Sequence, residues 1–141
     1  GSLKLLPESV EYPLLIMNGD VLTKCNFRSM LKIHEDSKAN ATIAVREYNT
    51  TVPFGVISTD GLKVKSFEEK PTLTHLINAG IYCIDQDIIE LITENKFLDM
   101  PTLLENGINK NLRVNVSPLV DYWLDVGRPE TLAQAKNEWE S

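Results

Sequence analysis

From residue 12 onward the chain sets short apolar runs against clusters of turn-forming residues. Tyr12-Pro13 opens a run from Leu14 to Met17 that stops at Asn18-Gly19-Asp20. A short, unalternated apolar run bounded by turn residues predicts a strand covered on both faces. Phe27, Met30, Leu31 and His34 then recur at i, i+3, i+4 and i+7, one stripe of an amphipathic helix. Asn26 stands where an N-cap belongs, and Asp36-Ser37-Lys38 closes the helix. Ala41 to Val45 predicts a second buried strand. Strand, helix and strand over this length predict a right-handed crossover and a parallel pair.

Beyond Val45 the rhythm changes. Phe54 to Ser58 and Val64 to Glu68 are β-rich runs around Thr59-Asp60-Gly61, which predicts an antiparallel hairpin. Leu76-Ile77 and Gly80 to Ile84 predict a strand interrupted at Asn78-Ala79. Asp85 is placed to cap a helix with Ile88, Leu91 and Ile92 on its inner face. Asp99-Met100-Pro101-Thr102 starts another, with Leu103, Leu104 and Ile108 facing inward, since Pro is tolerated in a first turn. Leu112 to Val116 and Tyr122 to Leu124 predict two further strands, the second ending at Asp125. Pro129 begins a last helix with Leu132, Ala135 and Trp139 as its buried stripe. The expected class is α/β, a mixed and mostly parallel Rossmann-like sheet flanked by helices, with residues 1–141 as a single domain.

Composition narrows the function classes. At 43% hydrophobic and 24% charged, the 141 residues are ordinary globular sequence, long enough to bury a core. A net charge of -6 argues against a nucleic-acid partner, whose phosphates need clustered Lys and Arg. No apolar run reaches membrane-spanning length, so no membrane partner is expected. Gly1-Ser2 reads as a vector-derived remnant, and no signal-peptide pattern follows it. Cys25 and Cys83 fit no metal or redox spacing and predict two free thiols in a cytoplasmic protein. The seven glycines stand at least six positions apart, so neither a dinucleotide-binding turn nor a phosphate loop can be written with them.

Candidate chemistry gathers where strands stop, because open α/β sheets bind ligands off their strand ends. Asp20 follows one strand through Asn18-Gly19, and Asp125 follows another before Val126-Gly127. Each can be a simple turn former. If the two strand ends lie side by side, the carboxylates converge and repel unless a cation or proton sits between them. Mg²⁺ suits such a pair, binding through one or two carboxylates plus phosphate oxygens. Glu68-Glu69-Lys70-Pro71 is the second stretch. Pro71 biases Lys70 toward an extended backbone, sending a Glu and a Lys off opposite sides of a strand end. The stretch is either a solvated charge cluster or a site where Glu accepts sugar hydroxyls and Lys neutralises a phosphate. Asn78-Ala79-Gly80 inside a β pattern, and Gly55 after Pro53-Phe54, mark either bulges or backbone close to a ligand. His34 reads as a packed histidine, His75 as a loop residue without a partner, and Trp123 and Trp139 as core. No nucleophile with a matching base can be assigned.

Together these stretches resemble the sugar-phosphate nucleotidyltransferase family, the nucleoside-diphosphate-sugar pyrophosphorylases. Leu15-Ile16-Met17-Asn18-Gly19-Asp20 is similar to the family's strand ending in a metal-binding Asp. Phe54-Gly55-Val56 is similar to its sugar-site glycine strand, Phe67-Glu68-Glu69-Lys70-Pro71 to its Glu-Lys-Pro motif, and Ile77-Asn78-Ala79-Gly80-Ile81-Tyr82 to the strand over the sugar. Trp123-Leu124-Asp125-Val126-Gly127-Arg128-Pro129-Glu130 is similar to the segment carrying the second metal Asp, and its ending leans toward the mannose-1-phosphate guanylyltransferase-like branch. The resemblance implies attack of a sugar 1-phosphate on the α-phosphorus of a nucleoside triphosphate, with release of pyrophosphate. It implies that Asp20 and Asp125 hold Mg²⁺, Glu69 binds sugar hydroxyls, Lys70 binds the sugar phosphate, and Gly55 and Asn78 line the sugar pocket.

The same resemblance implies a glycine-rich, basic phosphate loop ahead of Leu3, which these 141 residues lack. The chain is therefore expected to be the C-terminal part of a nucleotidyltransferase domain, without its N-terminal nucleotide-binding strands and inactive alone. The strand from Leu14 to Met17 is expected to expose an unpaired edge that favours self-association. A non-catalytic regulatory or subunit-contact domain is the rival reading, and such a domain should lose the metal and sugar residues that are all present here. A phosphoacceptor receiver domain is a poorer match, because Asp20 lacks an acidic neighbour and the strand order after Val45 is wrong.

Overall fold

A computed structural model describes residues 11, 13–92, 98–127, 131–133, 135 and 138. Its elements in chain order are β1 (Leu14–Met17), β2 (Val21–Thr23), α1 (Phe27–Asp36), β3 (Ala41–Thr51), β4 (Gly55–Asp60), β5 (Lys63–Glu69) and β6 (Thr72–Ile84). They continue with α2 (Gln86–Ile89), α3 (Met100–Asn109), β7 (Val114–Pro118) and β8 (Trp123–Asp125). The chain divides into two compact units, Gly1–Val45 with Asn78–Ser141, and Arg46–Ile77.

The first unit is built on a sheet in the order β1-β6-β3-β7. The α/β class and mixed sheet are as the sequence predicts, but the pairing differs in two respects. β1 pairs antiparallel with β6, Leu14 opposite Ile84 and Met17 opposite Ile81. The crossover from β1 through α1 therefore does not lay β3 directly beside β1, because β6 stands between them. The parallel neighbour of β3 is β7, with Ala41 opposite Val114. Among the described pairings this is the parallel one, so the expected parallel majority is not seen.

Alternation along β6 covers the sheet on both faces. Ile81 and Cys83 join Met30 of α1, Ala44 and Leu119 in one apolar cluster. Tyr82 and Ile84 join Ile88, Leu103 and Leu104 in the other, on the side of α2 and α3. Each wholly buried Ile or Leu contributes roughly 2–3 kcal/mol by leaving water. β1 lacks this double cover. Leu14 and Ile16 pack on the second cluster, while Leu15 and Met17 remain 39% and 46% exposed. The predicted two-faced burial fails because β1 is the outer strand and the α1 cluster does not reach it.

Helix boundaries follow their caps. Asn26 accepts from the Ser29 N–H at 3.1 Å, and Asp99 from the Thr102 N–H at 2.9 Å, with Pro101 in the first turn. Asp85 occupies the N-cap position of α2 but makes no side-chain cap bond; its carboxylate meets His34 Nε2 at 3.0 Å instead. Ile108 and Leu132, expected inward, are exposed. Gly107 is buried in place of Ile108, and a Cβ there would stand 2.8 Å from Ile88 Cδ1. The predicted starting residue Pro129 and Trp139 lie outside the described residues.

The second unit carries the β4–β5 hairpin, antiparallel with Gly55 opposite Glu69 and a bulge between Ser58 and Thr59. Gly61, at φ +57°, is the first residue of the two-residue turn between Asp60 and Lys63. Beside it the outer stretches of β3 and β6 are joined by Val52 N–H to the Pro71 carbonyl at 3.0 Å and by Thr74 Oγ1 to Asn49 Oδ1 at 2.8 Å. β3 thus runs on past Val45, and His75 lies exposed in β6, not in the predicted loop.

Candidate active site

The two strand-end aspartates are brought together by an element the sequence pattern does not announce. β2 and β8 form an antiparallel ribbon with Val21 opposite Asp125, and the Val126 N–H donates to the Asp20 carbonyl at 2.8 Å. Val21-Leu22-Thr23 is too short to show a period, so this partner of β8 could not be read from alternation. The carboxylates meet over Gly127. A Cβ built there would stand 3.0 Å from Asp125 Oδ1 and 3.4 Å from Asp20 Oδ2. The Gly127 N–H donates to Asp125 Oδ1 at 2.9 Å. A side chain at this position would press on both carboxylates; glycine leaves that space open.

This gap and its donors fit Mg²⁺. The ion takes hard oxygen ligands and usually keeps several waters beside one or two carboxylates and substrate phosphates. Both aspartates are exposed, so water and phosphate oxygens can reach them. Among the described residues no group of three or more His, Cys, Asp or Glu side chains is placed to hold a metal.

β6 supports the pair from below through its distorted centre. The strand is continuous through Asn78-Ala79, and the distortion falls at Gly80, at φ +72°. The Asn18 N–H donates to the Gly80 carbonyl at 2.8 Å, and the Trp123 indole N–H donates to the Ala79 carbonyl at 2.8 Å. Asn78 spends its amide locally. Its Nδ2 donates to the Tyr82 hydroxyl at 2.8 Å and its Oδ1 accepts from the Gly80 N–H at 2.9 Å.

In the second unit Gly55, Glu69 and Lys70 lie at the open end of the hairpin. Gly55 and Glu69 are cross-strand partners, and a Cβ at Gly55 would stand 3.1 Å from Glu69 Oε2. The glycine makes room for that carboxylate. Lys70 is not extended as the following proline predicts; its φ is +46°. Two residues separate the end of β5 from the start of β6, and a left-handed residue turns the chain out of the hairpin where Pro71 takes its bond from Val52. Such a conformation costs a non-glycine residue about 1–2 kcal/mol.

Both cysteines are free. Burial pushes the Cys83 thiol up to about 12, with Asp85 and Glu35 adding to it. Cys25 is raised as well, by burial and then by Asp121. Neither thiol is set up as a nucleophile. His34 is 1% exposed, with Nδ1 2.8 Å from Thr42 Oγ1, the packed histidine that its helical stripe predicts.

The family model described as Nucleotidyl transferase matches residues 2–141, and the chain belongs to that family. It is 33% identical over 148 residues to a glucose-1-phosphate adenylyltransferase of Bacillus licheniformis, covering 94% of this chain and 37% of that protein. It is 30% identical over 132 residues to an Arabidopsis thaliana protein described as a probable mannose-1-phosphate guanylyltransferase, covering 90% of this chain and 39% of that one. The crystal structure of HddC from Yersinia pseudotuberculosis shares the fold at a TM-score of 0.64 and 22% identity, covering 98% of this chain and 59% of that chain. The chain thus spans somewhat over a third of the length of these curated relatives.

Proposed function

We propose that the protein to which these 141 residues belong transfers a nucleotidyl group from a nucleoside triphosphate to a sugar 1-phosphate, giving a nucleotide sugar and pyrophosphate. The observation that carries the reading is the meeting of Asp20 and Asp125 over Gly127, in a chain of the nucleotidyl transferase family. In this reading the two aspartates hold Mg²⁺, which when bound offsets the charge of the α-phosphate under attack. Lys70 Nζ neutralises the sugar phosphate, and the Glu69 carboxylate accepts hydrogen bonds from sugar hydroxyls with Gly55 leaving it space. Asn78 lines the sugar pocket through its backbone, since its side chain is committed to Tyr82 and Gly80. No covalent intermediate is needed, and rate comes from positioning and charge neutralisation.

Pyrophosphate release by the full-length protein tests the reading, with glucose and mannose 1-phosphates each offered alongside ATP and GTP. Asp20→Asn and Asp125→Asn should each lower kcat on the order of a hundredfold. Unchanged rates in both variants would refute the assignment. The 141 residues alone, lacking a phosphate-cradling glycine loop, should release none.

The outer edge of β1 is the proposed site of self-association. Leu15 and Met17 are exposed along it, and no charge or proline lies within Leu14–Met17 to blunt it. Light scattering should show a concentration-dependent increase in mass that Leu15→Lys suppresses. We place the reaction in the cytoplasm, where nucleoside triphosphates and free thiols coexist.

A further inference from the structure

We infer that the two consecutive carbonyls of Ala79 and Gly80 set the separation of the two aspartates, with Trp123 as the positioning residue that ties one of them down. The inference rests on the divalent-cation reading of Asp20 and Asp125 and assigns how this chain holds that pair. Asn18, two residues before Asp20, donates its backbone N–H to the Gly80 carbonyl at 2.8 Å. Trp123, two residues before Asp125, donates its indole N–H to the Ala79 carbonyl at 2.8 Å. Each carboxylate thus lies two residues after an anchored residue, one held by its backbone and the other by its side chain, and the accepting carbonyls belong to adjacent peptides of one strand.

The backbone at Gly80 permits this double use. Its φ of +72° departs from strand geometry, and the Asn78 side chain holds the distortion by accepting from the Gly80 N–H at 2.9 Å. A Cβ at Gly80 would stand 2.8 Å from Asn18 Nδ2 and 3.1 Å from Val21 Cγ2. The loop between those residues, which carries Asp20, is thus seated directly on the glycine. Beyond the anchors the arms close on each other through Val126 N–H to the Asp20 carbonyl at 2.8 Å. Trp123 is half-buried against the cluster of Met30, Ala79 and Ile81, so its ring is held and its N–H is directed. Groups behind a metal ligand that fix its orientation typically cost about 10- to 100-fold in metal affinity when removed.

The test uses the 141-residue chain, with Mn²⁺ as the probe read by electron paramagnetic resonance, and amide hydrogen exchange by NMR as a readout needing no metal. Trp123→Phe removes the donor and keeps an aromatic ring. It should weaken Mn²⁺ binding about 10- to 100-fold and accelerate exchange at Val126 and Gly127. Leu124→Ala, on the same strand without a tether, is the control for general loosening of β8. It should lower the melting temperature while leaving Mn²⁺ affinity within about twofold of wild type. Equal affinity and exchange in Trp123→Phe and wild type would overturn the inference, as would an equal loss of affinity in Leu124→Ala. Failure of the wild-type chain to bind Mn²⁺ would overturn the cation reading; exchange at Val126 and Gly127 then decides the tether alone.

Discussion

Two glycines with left-handed backbones show how much of a residue's role lies in its surroundings. Gly61 and Gly80 have φ of +57° and +72°, yet a Cβ at Gly61 meets nothing within 4 Å while one at Gly80 meets Asn18 and Val21. Gly61→Ala should cost about 1 kcal/mol of backbone strain. Gly80→Ala should cost about 2–4 kcal/mol, because overpacking adds to that strain. Chemical denaturation of the two variants measures the difference. The thiols differ in the same way. Cys83 is fully buried and its pKa lies near 12, so it should resist alkylation at pH 8 until the protein unfolds, while half-buried Cys25 reacts slowly in the native state. An unfolded thiol ionises near 9, so the contribution of Cys83 to stability is whole below pH 9 and falls as pH rises toward 12. Residue identities suggested Asp20 and Asp125 because turn glycines flank them, and Glu69 because it stands beside Lys70-Pro71 at a strand end. Lys70 was misread in backbone, since the pre-proline rule is local and the exit from a hairpin overrides it.

Among the elements, α1 was the most legible, because its stripe and its Asn26 cap agree with each other. The end of that stripe does structural work. His34 joins α1 to Thr42 of β3 and to Asp85 ahead of α2. His34→Leu would leave the Thr42 hydroxyl buried without that partner and should cost about 1–3 kcal/mol in equilibrium unfolding. An unchanged midpoint would show the triad to be dispensable. β6 was legible only in pieces. Asn and Gly argue against a strand locally, but pairing with β1 on one side and β3 on the other holds it continuous. β2 was invisible, and with it the way the aspartates meet, since a three-residue strand is specified by its partner and not by its own pattern. The outward turn of Ile108 has a similar cause: Gly107 gives Ile88 the space on the inner face.

For the whole molecule, order of motifs carried more than any single one. Each stretch taken alone reads as a turn, a charge cluster or a bulge, whereas their succession matches one family over residues 2–141. The sheet order and the division into two units were not legible, because both depend on contacts far apart in sequence. The candidate chemistry divides the same way, with the aspartates in the unit holding β2 and β8, and Gly55, Glu69 and Lys70 in the unit holding the hairpin. Under the proposed function each set has its own share of the work, the aspartates holding a divalent cation and Glu69 and Lys70 binding a sugar 1-phosphate. Calorimetric titration of the 141-residue chain with glucose or mannose 1-phosphate, with and without Mg²⁺, tests both shares at once. Binding should strengthen about tenfold or more with Mg²⁺, lose that gain in Asp20→Asn and Asp125→Asn, and weaken with or without Mg²⁺ in Lys70→Ala. Binding indifferent to Mg²⁺ and to both aspartates, or no binding at millimolar concentrations, would contradict the proposed function.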